Sequence, residues 1–105
     1  MALLNEKSII LIDNREKDSR IPNILKNKGI PILFENLEIG NYIIEDIIIE
    51  RKTSKDFIAS IFDGRIFQQA NKITSFTNKA ILLIEGLLQN ELEYLKIRTQ
   101  YMEHY

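Results

Sequence analysis

The chain alternates short β-branched runs with stretches of helical spacing. Ser8-Ile9-Ile10-Leu11-Ile12-Asp13 reads as a buried strand that closes at Asp13, and the wholly polar residues 14–18 after it read as a loop. Ser19 is a helix cap, with Pro22 tolerated in the first turn. Ile21, Ile24, Leu25 and Lys28 keep helical spacing, and Gly29 is a natural stop. Ile32-Leu33-Phe34 begins a second strand. Gly40-Asn41 is a two-residue turn signal, and residues 42–44 and 47–52 are expected to pair as strands around Glu45-Asp46.

Thr53 caps the next helix, with Asp56 three residues on, as in a capping box. Phe57, Ile58, Ile61 and Phe62 are that helix's expected buried stripe, and Asp63-Gly64 its end. Ile66, Ala70, Ile73 and Phe76 predict another helix, and residues 79–84 a buried strand in a parallel position. Beyond it, Leu88, Leu92, Leu95 and Met102 repeat at three and four residues while Tyr94, Ile97, Tyr101 and Tyr105 line a second face. Such a stripe is wider than one core needs, so residues 87–105 are expected to be helical and to begin a partner surface. The whole reads as a single α/β domain over residues 1–105, a mixed central sheet flanked by helices, with no internal repeat and no linker; no cap or stop signal closes the last helix, which leaves C-terminal truncation of the fold open.

Composition removes several classes. The 105 residues contain no Cys, which excludes a disulfide framework and a thiolate metal site. The single His, His104, stands beside the last residue, which argues against His-dependent nucleophilic triads. No apolar run approaches the ~20 residues that span a bilayer. Residues 1–7 are too short and polar for a secretory signal. An intracellular protein of the cytoplasm, nucleoid or nucleus, without a membrane partner, is expected.

The net charge of −1 says little about partners, but its distribution says more. Residues 31–50 carry five acids and no base, whereas residues 51–80 carry six bases and two acids. One reading is a surface decorated with both signs. The other is a carboxylate cluster that holds a metal, flanked by cations that hold a polyanion. Charge alone favours the first.

The candidate chemistry begins with Glu50 and Lys52. Two apart on a predicted strand, they project from one face, while Arg51 points from the other. A carboxylate beside a lysine suits phosphodiester hydrolysis: the carboxylate binds Mg²⁺, and the lysine orients water or neutralises charge on the phosphate. Asp13 and Glu16, at the end of a neighbouring strand, could supply more ligands, because open α/β sheets place their sites at strand C-termini. Each residue also has a plain structural reading: a solvated strand end, a strand terminus, or, for Asp56, the acid of a helix cap.

Their order carries more than any one of them. Asp13-Asn14-Arg15-Glu16, the helix closing at Gly29, Leu37-Glu38-Ile39-Gly40-Asn41-Tyr42, Ile49-Glu50-Arg51-Lys52-Thr53-Ser54-Lys55-Asp56-Phe57, Ser60-Ile61-Phe62-Asp63-Gly64-Arg65-Ile66-Phe67-Gln68-Gln69 and Leu83-Ile84-Glu85-Gly86 follow one another. Over residues 8–86 this closely resembles the nuclease domain of the XPF/Hef structure-specific endonucleases. That family's signature is a Gly-Asp step, then Glu-Arg-Lys, three residues and Asp. The resemblance implies a restriction-endonuclease-like core and a Mg²⁺ or Mn²⁺ site formed by Asp13, position 41 and Glu50, with Lys52 as the catalytic lysine. Glu16, Arg51 and Asp56 match further motif positions, Glu16 and Asp56 as catalytic candidates. Arg15, Arg51, Arg65 and Gln69 become candidates for DNA contact or for bracing the site. The implied substrate is branched DNA, a flap or fork, and the implied assembly a homodimer or a pair with a nuclease-like subunit.

One position departs from the family pattern. Gly-Asp is Gly40-Asn41 here, so a neutral amide oxygen replaces a carboxylate. Asn41 reads as an engineered change, as the mark of a non-cleaving member, or as a tolerated neutral ligand; as structure alone, Asn simply suits a turn after Gly. The expected function is a metal-dependent endonuclease core that Asn41 impairs. The alternative is a non-catalytic nuclease-like scaffold that pairs with or supports a DNA-repair nuclease.

Overall fold

The computed structural model describes residues 8–86, together with Gln89 and Glu93. The segment 87–105, and with it the expected partner surface, otherwise lies outside the described residues. Five strands, β1 (Ile10–Asp13), β2 (Ile32–Glu35), β3 (Tyr42–Ile44), β4 (Ile47–Thr53) and β5 (Ala80–Glu85), make one sheet in the order β2-β1-β3-β4-β5. β1 pairs parallel to β2 and β4 parallel to β5, whereas β3 is antiparallel to both β1 and β4. The C-terminal ends of β1, β2, β4 and β5 therefore share one edge with the start of β3. Three helices, α1 (Arg20–Asn27), α2 (Ser54–Phe62) and α3 (Arg65–Thr74), complete the α/β layering. Among the described residues, no helix is long and apolar enough to cross a membrane.

The core follows strand alternation. Ile10, Ile12 and Tyr42 are buried together, and Ile21 and Leu25 of α1 pack against them with Ile49. Ile48, Ile58 and Ile73 are the buried apolar residues contributed by β4, α2 and α3. Thr53 caps α2 as expected, its Oγ1 accepting from Asp56 N at 3.0 Å. Ser19 precedes α1 in extended backbone but makes no side-chain cap bond; its hydroxyl donates instead to Glu16 O at 2.9 Å.

Three local expectations change. The hairpin reverses at Glu45-Asp46, as expected, with Glu45 at φ 54°, while Gly40-Asn41 is a bend leading into β3 and not a two-residue tip. Asn41, just ahead of β3, is bonded to both neighbouring strands, donating its N–H to Ile49 O at 2.8 Å and accepting from Asp13 N at 2.9 Å. The stripe on α2 is different: Ser54, Ile58 and Ser60 are buried, while Ile61 and Phe62 are exposed. Close packing admits small Ser60 where periodicity favours the large residues. β5 lies parallel to β4, as its pattern predicts, but it occupies the edge among the described strands, and Ile81, Leu82 and Leu83 are exposed.

Gly40 is needed where it stands. Its φ is 73°, and a Cβ there would lie 2.5 Å from Ile48 Cγ2 and 3.3 Å from Ile49 O. Gly40→Ala is expected to lower stability by about 1–3 kcal/mol through strain and collision, as read by urea unfolding. Ile12 is fully buried, and Ile12→Ala is expected to cost about 2–5 kcal/mol in the same measurement.

Candidate active site

β3 lies between β1 and β4, and the register decides which side chains share a face. Ile12, Tyr42 and Ile49 form one lateral row. Just beyond it lie Asp13, Asn41 and Glu50: Asn41 accepts from Asp13 N and donates to Ile49 O, the residue before Glu50. Because strand residues alternate, this row faces away from the α1 core, and Lys52, two residues beyond Glu50, shares its face. Glu50 lines a groove with Ile66, Gln69 and Ile73 of α3. The structure thus brings Asp13, Asn41, Glu50 and Lys52 to one end and one face of the sheet.

Each of these groups is held differently. Asp13 is buried, and its Oδ1 accepts from Leu37 N at 2.9 Å. Its Oδ2 accepts from Arg15 N at 3.1 Å and Arg15 Nε at 2.6 Å. Burial pushes this carboxyl up, but the Arg15 side chain and the Leu37 and Arg15 amides outweigh burial and leave it below the usual carboxylate range. Glu50 is shifted the other way: burial holds its carboxyl above the usual range despite the nearby charges of Lys52 and Arg15. Lys52 is only 4 % exposed, and its Nζ donates to Asp56 Oδ2 at 3.1 Å. That hydrogen bond is the main reason the Asp56 carboxyl falls below its ordinary value. Arg65 supports Asp56 from the far side, with Nη2 to Oδ1 at 3.3 Å, and is itself held by Asp63 at 2.7 Å.

Asn41 is constrained at the side chain too. Its Oδ1 accepts from Arg51 N at 2.8 Å. An aspartate in this orientation would serve the Arg51 amide with one oxygen and offer the other to a cation. Asparagine presents an NH₂ group there, a donor that cannot ligate a metal. Among the described residues, no group of three or more His, Asp or Glu is gathered closely enough to hold a metal ion. The row accordingly supplies two carboxylates and one amide.

Glu16 and Arg51 belong to the opposite face. Sequence reasoning grouped Glu16 with Asp13 because they are three residues apart. In the fold, the Glu16 carboxylate is buried and takes two bonds from Arg51, Nε to Oε1 at 2.7 Å and Nη2 to Oε2 at 3.1 Å. Arg51 also reaches Glu85 Oε2 at 3.1 Å. With two acids around it, its guanidinium is held more firmly charged than usual. The alternation that sends Arg51 away from Lys52 is as expected, and its contacts make it a brace between β4, the end of β5 and the turn after β1. Gln69 borders the Glu50 groove with its Oε1 buried and unpartnered among the described residues.

Sequence reasoning missed three residues here. Glu85 forms the third corner of the Arg51 cluster because β5 pairs Glu85 with Thr53, a register no local pattern reveals. Glu38 and Lys72 line a polar groove of about 170 Å³ with Arg15, Gly40, Glu50 and Gln69. Lys72 was within reach of sequence analysis, since it follows Gln69 by three residues on one helix and so shares its face.

The family model described as the ERCC4 domain matches residues 12–104. The 3'-flap repair endonuclease Xpf of Saccharolobus solfataricus is 41 % identical over 78 residues, which cover 73 % of this chain and 34 % of that protein. The DNA repair endonuclease XPF of Mus musculus is 35 % identical over 80 residues, 75 % of this chain and 9 % of the mouse protein. XPF from Aeropyrum pernix, solved in complex with DNA, superposes with a TM-score of 0.73 at 36 % identity, covering 78 % of this chain and 42 % of that one. The chain therefore spans about a third of its archaeal Saccharolobus relative and under a tenth of its mouse one. The match of the ERCC4 domain along most of the sequence, on a fold shared with XPF, makes this chain a member of the XPF-type family of DNA repair endonucleases.

Proposed function

We propose that this domain is the hydrolytic core of a nuclease that cuts branched DNA, flaps and forks, by metal-assisted phosphodiester hydrolysis, and that Asn41 impairs it. The observation that carries this reading is the lateral row Asp13–Asn41–Glu50 with Lys52 on the same face. The donor set fits a hard divalent cation in kind, being all oxygen, and a cation already stands at Asp13 in the form of the Arg15 guanidinium. Asp13 and Glu50 would hold Mg²⁺ or Mn²⁺, with Asn41 joining only through Oδ1, the oxygen that already accepts from the Arg51 amide. When bound, the ion would supply Lewis-acid stabilisation of the phosphate and a more acidic water.

The chain's own groups do the rest. Lys52, kept in place by Asp56, sets an ammonium beside Glu50, where it can orient a water and offset charge that grows on the phosphate oxygens. Arg65 holds Asp56, so Asp56 acts through Lys52 as a positioning residue. Arg15, Gln69 and Lys72 border the groove that leads to Glu50 and offer donors to a DNA strand. The exposed Ile81, Leu82 and Leu83 of β5 are consistent with pairing to a second nuclease-like subunit.

A second reading, a non-catalytic scaffold for a repair nuclease, is favoured by one observation: the amide at position 41 leaves only two acids in the row. The two readings are separated by cleavage of a labelled 3'-flap duplex in Mn²⁺. As a nuclease core, Asn41→Asp is expected to raise the rate by about 10- to 100-fold, the scale of changes in a metal ligand's surroundings. Lys52→Ala on that background is expected to lower it by about 100- to 1,000-fold. A flat response to both substitutions, with fork binding retained, would select the scaffold.

A further inference from the structure

Asp13 is a buried acid with three donors, and they are not alike. The amides of Leu37 and Arg15 are backbone groups fixed by the fold. The Arg15 guanidinium, 2.6 Å away through Nε, is carried on a side chain that is 78 % exposed. A long, solvated side chain can leave this carboxylate at small cost, because release returns its rotamer freedom and the two amides keep Asp13 hydrogen-bonded. Arg15 also lines the polar groove shared by Glu38, Gly40, Glu50, Gln69 and Lys72.

A divalent cation placed between Asp13 and Glu50 would stand within a few ångströms of this guanidinium. Two like-signed ions beside one carboxylate repel each other and compete for it. A phosphate in the groove, by contrast, gives the guanidinium a planar, bidentate partner that Asp13 does not provide. We propose that Arg15 is an exchangeable resident cation: it caps Asp13 while no divalent ion is bound, and it turns into the groove to hold a DNA phosphate when one is. This rests on the metal-nuclease reading above and adds to it a coupling between the two ligands. Metal and DNA each favour the same outward position of Arg15, so each should strengthen the other's binding through this side chain.

The test is calorimetric titration of Mn²⁺ alone into the 105-residue chain, carrying Asn41 or Asn41→Asp, with and without a flap duplex. Arg15→Gln is expected to bind Mn²⁺ about fivefold tighter without DNA, as for the loss of one partly exposed ion pair. It is also expected to lose part of the gain that the duplex gives the parent. Arg15→Lys should keep the parent's Mn²⁺ affinity, because it retains the charge. Thermal unfolding of each variant reports whether the fold is intact. An Arg15→Gln affinity for Mn²⁺ that is unchanged or weaker overturns the exchange, because Arg15 would then simply brace Asp13. No Mn²⁺ binding by any variant, Asn41→Asp included, overturns the metal site itself and the exchange with it.

Discussion

Asn41 carries the constraint on which the rest of the site depends. Its N–H and C=O tie β4 to β1 across a single residue, and its side-chain oxygen takes a third bond from β4. Backbone bonds of this kind leave little freedom in register, and a slip of one residue would turn Glu50 and Lys52 toward the α1 core. Gly40 makes the arrangement possible by bringing the chain into β3 at a positive φ, close against Ile48 and Ile49. The alignment of Asp13 with Glu50 thus rests on the sheet's backbone bonds together with the Asn41 side-chain oxygen.

Charge is divided between two faces in a way that serves different ends. On one, Arg51 gathers Glu16 and Glu85, so that a single guanidinium joins the turn after β1 to the ends of β4 and β5. Glu16 is buried and satisfied by two bonds, a geometry that secures orientation more than net stability. On the other face, Lys52 is buried with Asp56 as its acceptor, and Arg65 holds Asp56 in turn. Glu50 is the acid whose environment raises rather than lowers its proton affinity. An acid that water solvates poorly gains most from a nearby cation, which is why the arrangement around it is chemically suggestive.

Much of this was legible in the sequence, and the failures have physical causes. β1, β3 and β4 follow from their β-branched runs, and the Thr53 cap from its three-residue spacing to Asp56. The shared face of Glu50 and Lys52 follows from alternation alone. Gly40-Asn41 was misread because the bonds that define Asn41 run to residues 8 and 28 positions away, beyond any local turn pattern. Glu16 was drawn toward Asp13 by proximity along the chain, whereas its partner, Arg51, is 35 residues distant. On α2, hydrophobicity ranks Phe62 above Ser60, yet the sheet admits the side chain that fits closest. β5 looks buried by composition because a sequence cannot say which of the described strands ends at the sheet's edge.

Arg51 and its two acids stand on the side of the sheet that holds α1. The cross-brace that keeps three elements in place shares no side chain with Glu50, Lys52 or Asp56. Substitutions at Glu50, Lys52 or Asp56 therefore leave that framework's own contacts in place.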